Sequence, residues 1–190
     1  MSRARRLILA TGNQGKLREY RDLLEPAGFE VVPFEPGIEE TGSTYLENAA
    51  LKAEAAMAAT GTPAVGDDSG VEVEALDGFP GLYSARLGKT QPERTAELLR
   101  RLEPYPRPWR ARFTCTIALA RPGETTRSVT GERRGEIVPE WRGGVGFGYD
   151  PVFYVAEAGK TFGEMDPEEK HRWSHRGAAV RALLASGWLS

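Results

Sequence analysis

The chain is poor in the residues that build covalent and soft-metal sites: one cysteine, Cys115, and two histidines, His171 and His175, in 190 residues. An internal disulfide is excluded, and a zinc centre of thiolates and imidazoles finds too few ligands. A metal, if bound, is expected to take carboxylate oxygens. No apolar run approaches the roughly 20 residues that cross a bilayer, so no membrane partner is expected. The basic opening MSRARR leads into a strand-like segment rather than the apolar core of a signal peptide, and the expected location is cytoplasmic. Neither sign of charge dominates, with 25 Lys+Arg against 27 Asp+Glu. That balance lacks the broad basic footprint of a protein holding long nucleic acid, so an anionic ligand must be met locally. No repeat, low-complexity tract or linker divides residues 1–190, which read as a single domain with an ordinary apolar share of 40%.

Arg6 to Ala10 reads as a short strand, followed by the turn TGNQGK and by Leu17, Tyr20, Leu23 and Leu24 at helical spacing until Pro26 and Gly28. FEVVPF is a second strand, then an acidic loop, EPGIEETGS. Thr44 with Glu47 fits a capping box opening an Ala-rich helix that carries Lys52 and ends at Gly61. PAVGDDSGVEVEAL reads as strand, acidic turn, alternating strand, which puts Asp67 and Asp68 where a strand ends. After the loop DGFPGLYSARLGK, Thr90 and Glu93 cap a helix from Gln91 to Glu103. ARFTCTIALA and TTRSVTGERRGEIV form a strand pair joined through RPGE, the second more polar and nearer an edge. The Gly-rich WRGGVGFGYDPVFYV runs into another strand, and Asp166, Pro167 and Glu169 start one terminal helix through SHRGAAVRALLASG. The pattern predicts an α/β fold with a mixed sheet and two lobes around a cleft.

The first turn offers backbone amides at Gly12, Asn13 and Gly15, plus the Lys16 ammonium, at a helix start whose dipole favours an anion. It is not the G-x-x-x-x-G-K-[ST] loop, because Leu17 replaces the hydroxyl residue that would hold magnesium. A ligand-free strand-to-helix connection explains the same turn. Two acidic pairs, Glu39–Glu40 and Asp67–Asp68, supply carboxylates for a magnesium ion shared with substrate phosphates. Neighbouring acids on a strand point oppositely, so one of each pair is expected in a site. Phe147 and Tyr149 could stack on a flat heterocycle, or simply anchor a glycine loop in a core. Ser174, His175 and Arg176 offer donors to a base edge, or a solvated helix face.

In order and spacing, ATGNQGK, EETGSTYLENAALKA, GDDSGVEVEALDGFPGLYSAR, GFGYDPVF and EEKHRWSHR make the chain resemble the inosine/xanthosine triphosphate pyrophosphatase family. The resemblance spans nearly the whole chain. It implies an elongated, twisted mixed sheet with flanking helices and a nucleotide cleft between two lobes, usually in a homodimer. The implied reaction is magnesium-dependent hydrolysis of deaminated purine nucleoside triphosphates to the monophosphate and pyrophosphate. By resemblance, Thr11, Gly12, Asn13, Gln14, Gly15 and Lys16 cradle the triphosphate, Lys52 and Lys170 add positive charge, and Ser69 touches the nucleotide. Glu40 and Asp68 hold Mg2+, Asp68 also serves as general base, and Asp67 supports them. Phe147, Gly148, Tyr149 and Asp150 wall the base, which His175 and Arg176 recognise. Val145 and Trp173 depart from the family pattern, where a smaller or hydroxyl residue and an aliphatic one are usual. Two rival readings use the same residues: a non-hydrolytic nucleotide or RNA binder, for which carboxylates beside phosphates bring no gain, and a phosphatase releasing orthophosphate.

Overall fold

The computed structural model describes residues 4–189; Met1–Arg3 of the MSRARR segment and Ser190 lie outside it. β1 (Arg5–Ala10) is apolar on both faces, and Leu7, Ile8, Leu9 and Ala10 are all buried, as a parallel strand covered on two sides requires. It pairs in parallel with β2 (Phe29–Phe34) and with β3 (Ala64–Val73). Each parallel connection carries a helix: α1 (Gln14–Leu24) after β1, and α2 (Tyr45–Thr60) before β3. β4 (Trp109–Ala120), β5 (Arg127–Ile137), β6 (Phe153–Val155) and β7 (Lys160–Thr161) complete a mixed seven-stranded sheet of order β2-β1-β3-β4-β5-β6-β7. The β5–β6 and β6–β7 pairs are antiparallel. Helices α3 (Gln91–Leu102), α4 (Pro167–Trp173) and α5 (His175–Ala185) follow in chain order.

The chain forms two compact units, divided after Asp68, Thr114, Gly131 and Arg176. In the first, Leu7, Leu9, Leu17, Tyr20, Leu24, Ile117 and Val180 make the main core. The second has its own, built on Val71, Val73, Leu98, Leu102, Phe113, Phe153 and Phe162.

Three local expectations are corrected. β3 is unbroken from Ala64 to Val73, with no turn at the aspartates, because each carboxylate finds partners without the backbone leaving the sheet. The terminal helix is two helices: Ser174, at φ −77 and ψ 154, is extended between α4 and α5. Its amide closes α4 on the Lys170 carbonyl (2.8 Å), while Arg133 Nε takes the Trp173 carbonyl (2.7 Å), satisfying a carbonyl that a continuous helix would bond internally. Thr44 caps the Glu47 amide, but the Glu47 carboxylate reaches one residue further back, to Ser43 N and Oγ; complete capping boxes stand at Thr90 with Glu93 and at Thr161 with Glu164. As expected, the more polar β5 lies nearer an edge of the sheet than β4, and β6 covers it only at Glu136 and Ile137.

Candidate active site

In the first unit, β1 delivers the turn and Asn13 caps α1. The Asn13 Oδ1 accepts from Gly15 N (2.9 Å) and Lys16 N (3.1 Å), and Asn13 N donates to Thr11 Oγ1 (3.1 Å). Two of the three amides expected to face an anion, those of Asn13 and Gly15, are thus engaged within the turn, as is that of Lys16, and the Lys16 side chain carries its charge beyond the turn. Its ammonium bonds the Asp67 carboxylate.

Asp67, 1% exposed, is saturated by other partners. Besides Lys16 on Oδ1, its Oδ2 accepts from Tyr20 Oη (2.8 Å) and Cys115 Sγ (3.0 Å). A buried carboxylate needs such pairing. Its backbone carbonyl accepts from Lys52 Nζ (2.6 Å) and from Lys16 Nζ (3.4 Å), so one residue tethers both lysines.

Asp68 faces α2. The helix can approach this strand because residue 66 is glycine: a Cβ there would lie 2.1 Å from the Ala49 carbonyl oxygen and 2.8 Å from Ala53 N. The facing Ala49 and Ala53 are themselves fully buried. Asn48 and Lys52, one turn apart on α2, therefore close over Asp68. Asn48 Nδ2 donates to Asp68 Oδ2 (3.1 Å), and Lys52 Nζ lies 3.9 Å from Oδ1. Lys52 also bonds Glu40 Oε1 at 2.5 Å; Glu39 is exposed. Burial pushes the Asp68 carboxyl above its ordinary range, opposed by Lys52, Lys16 and the Asn48 hydrogen bond and reinforced by Glu40.

These donors fit a hard divalent cation. Glu40 and Asp68 bring oxygens to one ammonium, which offsets only one of their two charges, and a magnesium-type ion needs only one or two carboxylates beside substrate phosphates. Among the described residues, no group of three or more His, Cys, Asp or Glu forms a closed protein cage.

The second unit holds the remaining candidates. Ser69 Oγ accepts from Arg176 Nη2 (3.0 Å), and Arg176 is 2% exposed despite its charge. His175 stacks on Phe113, 4.5 Å between centroids with planes 7° apart. Asp150 closes the glycine loop by accepting from Phe147 N (2.7 Å) and Lys170 Nζ (2.6 Å) with Oδ2. Gly146 adopts φ +91, and a Cβ there would lie 2.1 Å from that same oxygen, so only glycine fits. The Phe147 ring has Lys170 Nζ at 4.8 Å and Arg176 Cζ at 5.7 Å from its centroid. Gly148 follows at φ +63. The Tyr149 ring is buried in the core, and its hydroxyl donates to the Ser84 carbonyl (2.8 Å).

Residues 7–186 match the Ham1 family. The chain belongs to the Ham1 family. It is 54% identical to the dITP/XTP pyrophosphatase of Gloeobacter violaceus, over 94% of this chain and 92% of that protein. The Thermus thermophilus dITP/XTP pyrophosphatase is 49% identical, over 97% and 92%. Among solved structures, a HAM1 protein of Coxiella burnetii superposes with TM-score 0.85 at 40% identity, over 96% of this chain and 98% of that one.

Within this Ham1 chain the structure gathers Lys16, Glu40, Lys52, Asp67 and Asp68 in one cluster. Ser69, Phe147, Asp150, Lys170 and Arg176 form a second, with His175 alongside Arg176 at the start of α5. Lys170, assigned by resemblance to the phosphates, sits with the residues assigned to the base. Gln14 is exposed on the first turn of α1. Sequence reasoning missed Asn48, Tyr20, Cys115, Phe113 and Ser84 as supports. Only Asn48 carried a signal, its i,i+4 spacing from Lys52.

Proposed function

We propose that this chain hydrolyses deaminated purine nucleoside triphosphates, ITP, dITP and XTP, to the nucleoside monophosphate and pyrophosphate, clearing them from the nucleotide pool. The relatives bearing the name dITP/XTP pyrophosphatase support the reaction class. The observation that carries the chemistry is Asp68: a buried carboxylate with raised proton affinity, flanked by two lysines.

In this reading Asp68 takes the proton from the water that attacks the α-phosphorus, and burial makes it a better base than an exposed aspartate. Asn48 fixes the rotation of its carboxylate through Oδ2. Lys16 and Lys52 neutralise the charge that grows on the departing pyrophosphate, with the 11–16 turn beside them. Asp67 holds the lysines and takes no proton. Held by Glu40 and Asp68, Mg2+ would supply a Lewis acid toward the phosphate oxygens.

In the second unit, Phe147 stacks on the base. Inosine and xanthine present a 6-oxo group and a protonated N1 where adenine has an amino group and a bare N1. The cationic donors of Arg176 and Lys170, with His175, reward the oxo group; adenine leaves them unpaired, which costs orders of magnitude. Homodimeric assembly in the cytoplasm completes the reading. Among the described residues no helix is long and apolar enough to cross a membrane, and sedimentation reads the assembly.

Incubating the protein with ITP and magnesium, then identifying the phosphate product, separates the readings. Pyrophosphate supports a pyrophosphatase. Orthophosphate indicates a phosphatase, and binding without release indicates a non-hydrolytic binder.

A further inference from the structure

Lys52 stands where a cation would stand. Its ammonium is 2.5 Å from Glu40 Oε1 and 3.9 Å from Asp68 Oδ1, the two carboxylates that fit a divalent ion. The lysine and Asp68 side chains are each 12% exposed and that of Glu40 is 34% exposed, so water screens the approach to Asp68 little and that to Glu40 more. A magnesium-type ion approaches a carboxylate oxygen to about 2.1 Å, and an ammonium bonded to the same oxygen obstructs that approach by both size and charge. The third contact of Lys52 is the Asp67 carbonyl at 2.6 Å, a neutral acceptor that demands no charge of its own. A flexible four-carbon stem lets the ammonium pivot about that point.

We infer that Lys52 is an exchangeable counter-ion: it offsets part of the charge of Glu40 and Asp68 until a divalent cation takes their oxygens, and its ammonium then transfers to the triphosphate. The destination rests on the hydrolase reading above; the exchange at the carboxylates does not. Lys16 takes no part, being held by the Asp67 side chain. Two consequences follow. The cation binds the protein weakly by itself, because it must displace an ammonium that has nowhere better to go. With triphosphate present the displaced charge finds new oxygens, so cation and nucleotide each strengthen the binding of the other, and the coupling is reciprocal. The metal-loaded state is thereby tied to the presence of substrate.

Manganese(II) alone tests this, with the electron paramagnetic resonance signal of the free ion reporting how much the full chain binds. Lys52→Gln should bind Mn2+ about ten- to a hundredfold more tightly than wild type, the scale of losing one close positive charge; Lys52→Met should behave alike. The gain should vanish in the Glu40→Gln/Lys52→Gln double variant, and charge-preserving Lys52→Arg should stay near wild type. Adding an α,β-methylene triphosphate should tighten Mn2+ binding to wild type far more than to Lys52→Gln. Equal or weaker Mn2+ binding by both neutral variants overturns the inference, as does a gain that survives loss of Glu40. The readout is occupancy, so a wild-type protein that releases no pyrophosphate would reject the hydrolase reading while leaving this result to stand.

Discussion

Asp67 and Asp68, neighbours on β3, send their carboxylates to different partners: Lys16, Tyr20 and Cys115 take the first, Asn48 the second. The period of two along a strand separates them, and the separation divides the labour. One acid is consumed in holding a lysine, which leaves the other, with its raised proton affinity, as the proposed base.

Asp68→Asn should lower kcat by roughly two to four orders of magnitude, the range of general-base assistance, while nucleotide affinity stays within about threefold. The melting temperature at neutral pH should hold or rise, because a buried charge whose pKa is raised weakens the fold. Kinetics, equilibrium binding and calorimetry read the three quantities. Lost binding with normal turnover per bound substrate would remove Asp68 as the base.

The protonation behaviour of Asp68 itself is measurable. Lys52 and Asn48 both lower its pKa against the dominant effect of burial, so Lys52→Gln and Asn48→Ala should each move it further up. The folded group holds its proton more tightly than the unfolded chain does. Its contribution to stability is therefore greatest below the ordinary aspartate range and lost as pH climbs through the raised value. Carboxyl 13C titration of the metal-free protein checks the direction, and a downward move in either variant contradicts it.

Gly66→Ala should force α2 off β3, since the new Cβ meets the Ala49 carbonyl oxygen at 2.1 Å. Overpacking of this kind costs about 1–3 kcal/mol, and Asn48 and Lys52 move with the helix. A variant with wild-type melting and wild-type kcat would show that the close approach does not set the site.

In the second unit, beside the residues proposed to read the base, Arg133 holds the break between α4 and α5, with Nε on the Trp173 carbonyl at 2.7 Å and Cζ 5.0 Å from the centre of the Trp173 ring. Arg133→Gln should loosen the placement of His175 and Arg176 and cut the dITP-over-dATP ratio of kcat/KM by about tenfold, as misplaced buried donors discriminate less. Mn2+ binding is the control and should not change. An unaltered ratio would assign Arg133 to stability alone.

The parts of the fold legible in the sequence are those set by local chemistry. Thr90 with Glu93 at a loop-to-helix junction and the β1 run as a strand read directly from residue type and order, whereas the cap at Asn13, expected to offer its amide to an anion, shows only in the fold. The break at Ser174 is not local. The helical spacing continues through it, and the contact at the Trp173 carbonyl comes from Arg133, 40 residues away. The continuity of β3 was hidden for the same reason: DDSG looks like a turn until Tyr20, Cys115 and Asn48 arrive from other elements to satisfy the acids. Lys170, assigned to the phosphates by resemblance, takes its position from Asp150, 20 residues away in the chain.

The most direct test of the proposed reaction is hydrolysis of dITP in 18O-enriched water, with mass analysis of both products. Attack at the α-phosphorus predicts one labelled oxygen in the monophosphate and none in the pyrophosphate. Label in the pyrophosphate, or release of orthophosphate, would contradict it.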